Sequence, residues 1–156
     1  MEQLEQVIRT YADTVYRLAY ACMRNSTDAD DVFQDVFLKY AEKGPAFASE
    51  EHRKAWLIRV TVNRCHSYFR SNWWKRIAPL DEAIHAAAPA PADPELDEAL
   101  AQLPVKYRTV IHLHYYENYD TSEIADLTGL RPSTVRAQLT RARQMLEELL
   151  KGENDA

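Results

Sequence analysis

The sequence has few of the residues on which catalytic sites usually depend. It holds only three glycines and two cysteines, and it contains neither a glycine-rich phosphate loop nor a nucleophile motif. Its cysteine and histidine residues lack the spacing of metal ligands. These absences argue against an enzyme, and we expect no cofactor and no metal.

Long hydrophobic runs are missing as well, so the sequence offers no membrane span and no signal peptide. Cys22 and Cys65 fall inside apolar helical patterns, which is the usual setting of reduced cysteines in a protein core. We therefore expect a cytoplasmic protein whose thiols stay reduced.

No stretch alternates between apolar and polar residues as a β-strand would, and apolar residues recur at helical spacing almost throughout. A first helix is predicted from Glu2 to about Met23, and a second from Ser26 or Thr27, as N-cap, to about Lys43. A third is predicted from about Glu51 to Asn72. The N-terminal half is therefore expected to be a helical bundle.

An alanine- and proline-rich stretch from residue 78 to residue 94 has the composition of a linker. It divides the chain into residues 1–76, a linker over 77–94, and residues 95–156. The sequence predicts an all-α protein of two small helical domains joined by this linker. Helices of the second domain are expected over 95–103, from Pro104 to about 117, from Thr121 or Ser122 to near 129, and from Pro132 to about 151.

The net charge of −5 conceals a segregation of charges along the chain. Seven basic residues and no acidic residue lie between His52 and Leu80, and the only charges between Leu127 and Leu146 are four arginines. Acidic residues gather at the start of the second helix and again from Asp81 to Glu98. Two basic surfaces separated by acidic ones indicate two contacts with a polyanion and a different partner for the acidic regions.

The segment from Thr121 to Leu139 has the pattern of a helix-turn-helix. Ala125 supplies a small residue where the two helices touch, and Gly129 tolerates the left-handed turn between them. The apolar side chains expected to close this corner are Ile124, Leu127, Leu130 and Val135.

On the last helix, polar residues and arginines lie opposite the apolar stripe. A recognition helix reads base edges with its N-terminal part and contacts phosphates with flanking cations. We expect base contacts from Ser133, Thr134, Ala137 and Arg141, and phosphate contacts from Arg131, Arg136 and Arg143. A helical hairpin that packs on another protein is the alternative.

The third helix also has one apolar face and one polar face. Aromatic rings stack on unpaired bases while cations follow the backbone, so the polar face suits single-stranded DNA. The side chains assigned to this contact are Trp56, Arg59, Asn63, His66, Ser67, Arg70, Trp73 and Trp74. Alternatively, Trp73 and Trp74 cover an edge of the core.

Several of these segments, taken in order, resemble the extracytoplasmic-function (ECF) group of bacterial RNA polymerase sigma factors. The resemblance covers nearly the whole chain. It is carried by Asp28-Ala-Asp-Asp-Val-Phe-Gln-Asp-Val-Phe37, Ala55-Trp-Leu-Ile-Arg-Val-Thr-Val-Asn63, Leu103-Pro-Val-Lys-Tyr-Arg-Thr-Val110, Ser122-Glu-Ile-Ala125, Thr134-Val-Arg136 and Arg141-Ala-Arg143.

The resemblance implies a sigma region 2-like domain over 1–76 and a region 4-like domain over 95–156. The second helix would contact the β′ clamp of core RNA polymerase, and the third would meet the minus-ten element while the loop Gly44–Glu51 holds a flipped base. The C-terminal domain would contact the β flap and read the minus-thirty-five element of promoter DNA. The residues assigned to polymerase are Asp30, Asp31, Gln34 and Asp35.

An anti-sigma factor is a further partner that the resemblance implies, and it would hide Asp31 and Arg141. The family usually has Ser-Arg where this chain has Ala137-Gln138, so no promoter sequence is carried over. We expect a non-enzymatic sigma factor that directs polymerase to promoters and helps melt the minus-ten region, with weak DNA affinity on its own.

Two alternatives stay open. A stand-alone helix-turn-helix transcriptional regulator predicts a stable dimer and a palindromic operator. A helical adaptor would bind another protein through its acidic helix without contacting DNA.

Overall fold

The structure is a computed structural model that describes residues 2–72 and 93–154, and all regular structure in these residues is helical. The helices form two compact units, one on each side of the intervening stretch. The predicted all-α, two-unit organisation is confirmed. Trp73, Trp74 and most of the predicted linker lie outside the described residues.

The N-terminal unit is a bundle of α1 (Glu2–Met23), α2 (Ser26–Lys43) and α3 (Glu50–Asn72), each of which packs on the other two. The apolar stripes that predicted these helices face the shared core, as expected for amphipathic helices. Both cysteines are fully buried in this core. Other side chains of this core are Val15, Leu18, Val32, Val36, Leu57, Ile58 and Val62.

The start of α2 differs from the prediction. The N-cap is Asn25, whose side-chain oxygen accepts a hydrogen bond of 3.0 Å from the amide of Asp28. The prediction of Ser26 or Thr27 as the cap is wrong, because Ser26 is already the first helical residue. An N-cap must keep an extended backbone while its side chain reaches an amide two or three residues ahead, and Asn25 does both.

The C-terminal unit consists of α4 (Pro94–Gln102), α5 (Val105–Ile111), α6 (Thr121–Thr128) and α7 (Pro132–Asn154). Pro94 opens α4 with Asp93 as its N-cap, so the predicted linker extends one residue too far. Pro104 keeps an extended backbone as the N-cap of α5 and is not its first helical residue. From His112 to Tyr116 the last turn widens into a π-helix, which the sequence did not predict.

Helix α7 is the centre of this unit, since α4, α5 and α6 all pack against it. Arg108 is buried, and its guanidinium donates a hydrogen bond to the carbonyl of Leu103, which gives that carbonyl a partner at the junction of α4 and α5. The buried apolar side chains include Leu103, Val110, Leu113, Ile124, Leu139 and Ala142. In the part of the chain described, no helix is both long and apolar enough to span a bilayer.

Candidate nucleic-acid and protein interfaces

The helix-turn-helix begins with a capping box on α6. The side chain of Asp120 accepts the amide of Glu123 at 2.8 Å, and the Glu123 carboxylate accepts the amide of Asp120 at 3.0 Å. Two otherwise unpaired amides are thereby satisfied. The prediction of Thr121 or Ser122 as the cap is wrong by one or two residues.

Gly129 ends α6 in a left-handed conformation with φ of 74°. Its amide and that of Leu130 both donate to the carbonyl of Ala125, at 2.9 and 3.1 Å. Ala125 is buried, as the prediction of a small residue inside the corner requires, and the predicted left-handed turn at Gly129 is confirmed. Leu130, predicted to close the corner, is instead 38% exposed, whereas Ile124, Leu127 and Val135 are buried.

One side of α7, which we call the α7 face, carries the side chains predicted to contact DNA. Arg131, just before the helix, is exposed, and Thr134 is half-buried. The Nη1 of Arg143 donates to the hydroxyl of Tyr115 at 2.8 Å, which holds this cation against the π-helical turn. The exposed side chains are Ser133, Arg136, Ala137, Thr140, Arg141, Arg143 and Gln144.

The polar side of α3, which we call the α3 face, is less exposed than the sequence suggested. Arg59, Asn63 and Arg70 are exposed, while His66 and Ser67 are half-buried. Burial, and then the positive charge of Arg70, lower the pKa of His66. His66 is therefore neutral at pH 7, and it can act there as a hydrogen-bonding group and not as a cation.

Trp56 was assigned to the polar face of the third helix, but the structure places it half-buried in an aromatic cluster. Its ring meets those of Tyr40 and Phe47 edge-on, with centroid distances of 5.9 and 6.0 Å. Tyr40 and Phe47 themselves stack at 6.1 Å with an interplanar angle of 4°. The sequence reasoning missed both, because Tyr40 fitted the apolar pattern of α2 and Phe47 lay in a loop.

A polar network ties this cluster to α1. The Nε of Arg53 donates to the Tyr40 hydroxyl at 3.2 Å, and its guanidinium lies 5.2 Å from the Phe47 ring centroid. Arg53 also pairs with Glu50, which accepts a hydrogen bond of 2.8 Å from the Tyr11 hydroxyl. Burial and this bond raise the pKa of Tyr11 to about 12. The network fixes the loop between α2 and α3.

The residues of the acidic segment of α2 differ in how exposed they are. Asp31 and Gln34 are exposed, and Leu38, one turn further, is 59% exposed. Asp30 and Asp35 are half-buried. These placements give the exposed part of α2 both polar and apolar character, which suits a protein partner better than solvent alone.

Two of the α2 carboxylates bind side chains of α3. The Oδ2 of Asp35 pairs with the Nε of Arg64 at 2.6 Å. The buried carboxylate of Asp28 accepts a hydrogen bond of 2.9 Å from the Tyr68 hydroxyl. Among the described side chains, no group of three His, Cys, Asp or Glu is arranged to hold a metal ion.

Two protein families match the chain. The family described as Sigma-70 region 2 matches residues 7–75, and the family described as Sigma-70, region 4 matches residues 94–146. The first of these ranges contains α2 and α3, and the second contains the helix-turn-helix.

Known proteins resemble the chain over most of its length. The RNA polymerase sigma factor SigV of Bacillus subtilis is 30% identical over 144 residues, which cover 89% of this chain and 86% of that protein. The ECF RNA polymerase sigma factor SigE of Mycolicibacterium smegmatis is 29% identical over 161 residues, covering 96% of this chain and 62% of that longer protein.

A solved structure shares the fold. The sigma factor RpoE of Bartonella quintana, crystallised in complex with the anti-sigma factor NepR, superimposes with a TM-score of 0.77 over 97% of this chain and 98% of that chain. At 24% sequence identity, this likeness shows the fold alone.

Proposed function

The chain belongs to the ECF-type RNA polymerase sigma factors, with a sigma-70 region 2 and region 4, and from this premise we propose how its surfaces act. It directs RNA polymerase to promoters and is not an enzyme. We assign region 2 to residues 1–76, the linker to 77–93 and region 4, which begins with α4, to 94–156. The stand-alone regulator and the adaptor thereby lose their support.

The exposed part of α2 is the proposed contact with the β′ clamp of core polymerase. Asp31 and Gln34 are accessible there, and the exposed Leu38 adds apolar area next to them. Asp30 and Asp35, which are half-buried, are assigned to the same contact with polymerase. Asp31→Arg should abolish co-elution with core polymerase, whereas the matched reversal Asp13→Arg, at an exposed position of α1, should not.

The α3 face is the proposed contact with the melted minus-ten strand. Arg59, Asn63 and Arg70 are accessible to DNA, and the half-buried Trp56, His66 and Ser67 lie among them. Trp73 and Trp74 belong to the same assignment. The loop fixed by the polar network is proposed to hold a flipped base, since a pocket that binds the unstacked base favours melting.

The α7 face is the proposed reader of the minus-thirty-five element. We assign Ser133, Thr134, Ala137 and Arg141 to bases, and Arg131, Arg136 and Arg143 to phosphates. Arg136→Ala should weaken binding to all DNA sequences, and the affinity should depend less on salt because about one counterion fewer is released. Arg141→Ala should weaken binding and also change which sequence is preferred.

Region 4 also carries the proposed contact with the β flap. A groove of about 460 Å³ opens on this unit, and almost all of its lining is apolar. Tyr115 and Tyr116 beside it are 50% and 53% exposed. The lining includes Leu96, Leu100, Ile111, Tyr115, Tyr116, Leu146 and Leu150.

Two further assignments concern the setting of the protein. We propose a cytoplasmic location, where core polymerase and promoter DNA are both found. We also propose an anti-sigma factor that covers Asp31 and Arg141, a partner class supported by the NepR complex of the Bartonella quintana protein.

The observation that carries the proposal is the α7 face, on which most of the predicted DNA contacts share one exposed side of the helix that follows the turn at Gly129. The test is transcription by sigma-free core polymerase mixed with the purified chain and a library of genomic fragments. Discrete start sites with shared upstream motifs, lost with Asp31→Arg, are the expected result. No transcripts and no co-elution with core would refute it.

A further inference from the structure

Arg64 is a cation of α3 that is held by an acidic residue of α2. Its Nε lies 2.6 Å from the Oδ2 of Asp35, and the two side chains are 35% and 42% exposed. The pair therefore lies at the surface, where another charged molecule can reach either member. Asp35 is a proposed polymerase contact, so the ion pair joins the two proposed interfaces of region 2.

Arg64 also borders the α3 face. On a helix, residues three or four positions apart are neighbours, so Arg64 lies next to Ser67, which belongs to that face. Its guanidinium is 5.6 Å from the Tyr68 ring centroid, and the Tyr68 hydroxyl is fixed by its hydrogen bond to Asp28. The guanidinium can keep its contact with this ring when Asp35 binds another group. Arg64 therefore need not move far to contact a phosphate.

The ion pair is weak enough to be exchanged. A partly exposed pair changes an equilibrium by roughly fivefold at most, because water screens both charges and two long side chains must be ordered. A basic group of a protein partner at Asp35 can therefore displace Arg64. A DNA phosphate also offers a planar guanidinium two acceptor oxygens.

We propose that Arg64 is a further DNA-phosphate contact of α3, and that its pairing with Asp35 withholds it from DNA until polymerase engages Asp35. This inference rests on the proposed assignment of α2 to polymerase and of α3 to DNA. Polymerase binding would then increase the affinity of region 2 for DNA by releasing one cation already adjacent to the strand.

The test compares Arg64→Gln in two states of the full-length protein. Binding to a fluorescent forked duplex, carrying a promoter mapped by the transcription experiment, is measured for the free chain and for the holoenzyme. In the free chain the substitution should lower affinity by less than about twofold. In the holoenzyme it should lower affinity roughly three- to tenfold and reduce the salt slope by about 0.7, and Arg64→Lys should restore the slope.

A double-mutant cycle isolates the ion pair in the free chain. Asp35→Asn should raise DNA affinity roughly two- to fivefold, and adding Arg64→Gln should remove that gain. Glu42→Gln is the matched control, since it removes one negative charge two turns along the same helix face. Glu42 is exposed, and this change should raise affinity much less.

Three results would overturn the inference. They are an equal effect of Arg64→Gln in both states, no effect in the holoenzyme, and a gain from Glu42→Gln as large as that from Asp35→Asn. Failure of the proposed function would give other results. If the assignment of α2 to polymerase is wrong, the wild-type chain forms no holoenzyme; if the assignment of α3 to DNA is wrong, Asn63→Ala leaves binding of the holoenzyme to the forked duplex unchanged.

Discussion

Substituting Gly129 by alanine should destabilise region 4 selectively. Gly129 has φ of 74°, and a Cβ added there would meet no atom within 4 Å. The cost is therefore purely conformational, about 1–2 kcal/mol for an L-residue in the left-handed region. Alanine also restricts the unfolded chain, which offsets about 0.4–1 kcal/mol of this cost. The net expectation is a loss of about 1 kcal/mol.

For a unit of this size, about 1 kcal/mol lowers the midpoint of thermal unfolding by roughly 4–8 °C. The stretch of chain that forms α4 to α7 contains none of the three tryptophans, which are at positions 56, 73 and 74, so unfolding is followed by other probes. Circular dichroism follows all helices, and hydrogen exchange of the Leu130 amide, which donates to Ala125, follows the turn itself.

Gly152 supplies the matched control. It lies within α7, and an added Cβ would again meet nothing within 4 Å. Gly152→Ala should therefore be neutral or stabilising by up to about 1 kcal/mol. Gly129→Asn should cost less than Gly129→Ala because asparagine tolerates the left-handed region. An unchanged midpoint in Gly129→Ala, or equal effects at the two glycines, would refute the reasoning.

Capping, burial and neighbouring charge give three further expectations. Asp120→Ala removes the N-cap of α6 and should lower the free energy of unfolding, measured in urea, by about 1 kcal/mol. Ser122→Ala should lower it much less, and similar losses for the two variants would contradict the cap assignment. Absorbance of ionised tyrosine should show Tyr11 titrating near 12, and Glu50→Gln should move its pKa toward 10. Because the folded pKa is the higher one, the stabilisation is complete below pH 10 and is lost as the pH rises through 12. Folding lowers the pKa of His66 from 6.5, so its contribution to the free energy of unfolding is present above pH 6.5 and is lost as the pH falls through the folded pKa. Denaturant unfolding at several pH values should therefore show stability decreasing below pH 6.5. His66→Gln should remove this pH dependence.

Helix interiors were predictable because the signal is local. The stripe of α1 repeats within a single segment, and its predicted ends at Glu2 and Met23 are those observed. Helix starts were less predictable where several capping residues are adjacent. Asn25, Ser26 and Thr27 are all good N-caps, and only the backbone decides which side chain reaches the amide.

The candidate sites also include parts that a local sequence pattern predicts and parts that depend on how the helices pack. The exposed side of α7 follows from helical periodicity, so the sequence located most of the residues on that side. The aromatic cluster around Trp56 and the ion pair of Asp35 with Arg64 depend on how α2 and α3 pack. That pair joins residues 29 positions apart, and no local pattern connects them.

The structure also bears on how a protein of net charge −5 can recognise DNA. Two arginines near the proposed DNA surface of the N-terminal unit pair with carboxylates of the same unit: Arg53 with Glu50, and Arg64 with Asp35. This unit therefore offers DNA only part of its formal positive charge. When polymerase holds both units on one promoter, the second contact becomes intramolecular, and its effective concentration raises the combined affinity without any new contact. The weak DNA binding that we expect of the free chain would then favour selectivity, because a unit that bound any DNA tightly would hold the sigma factor away from polymerase.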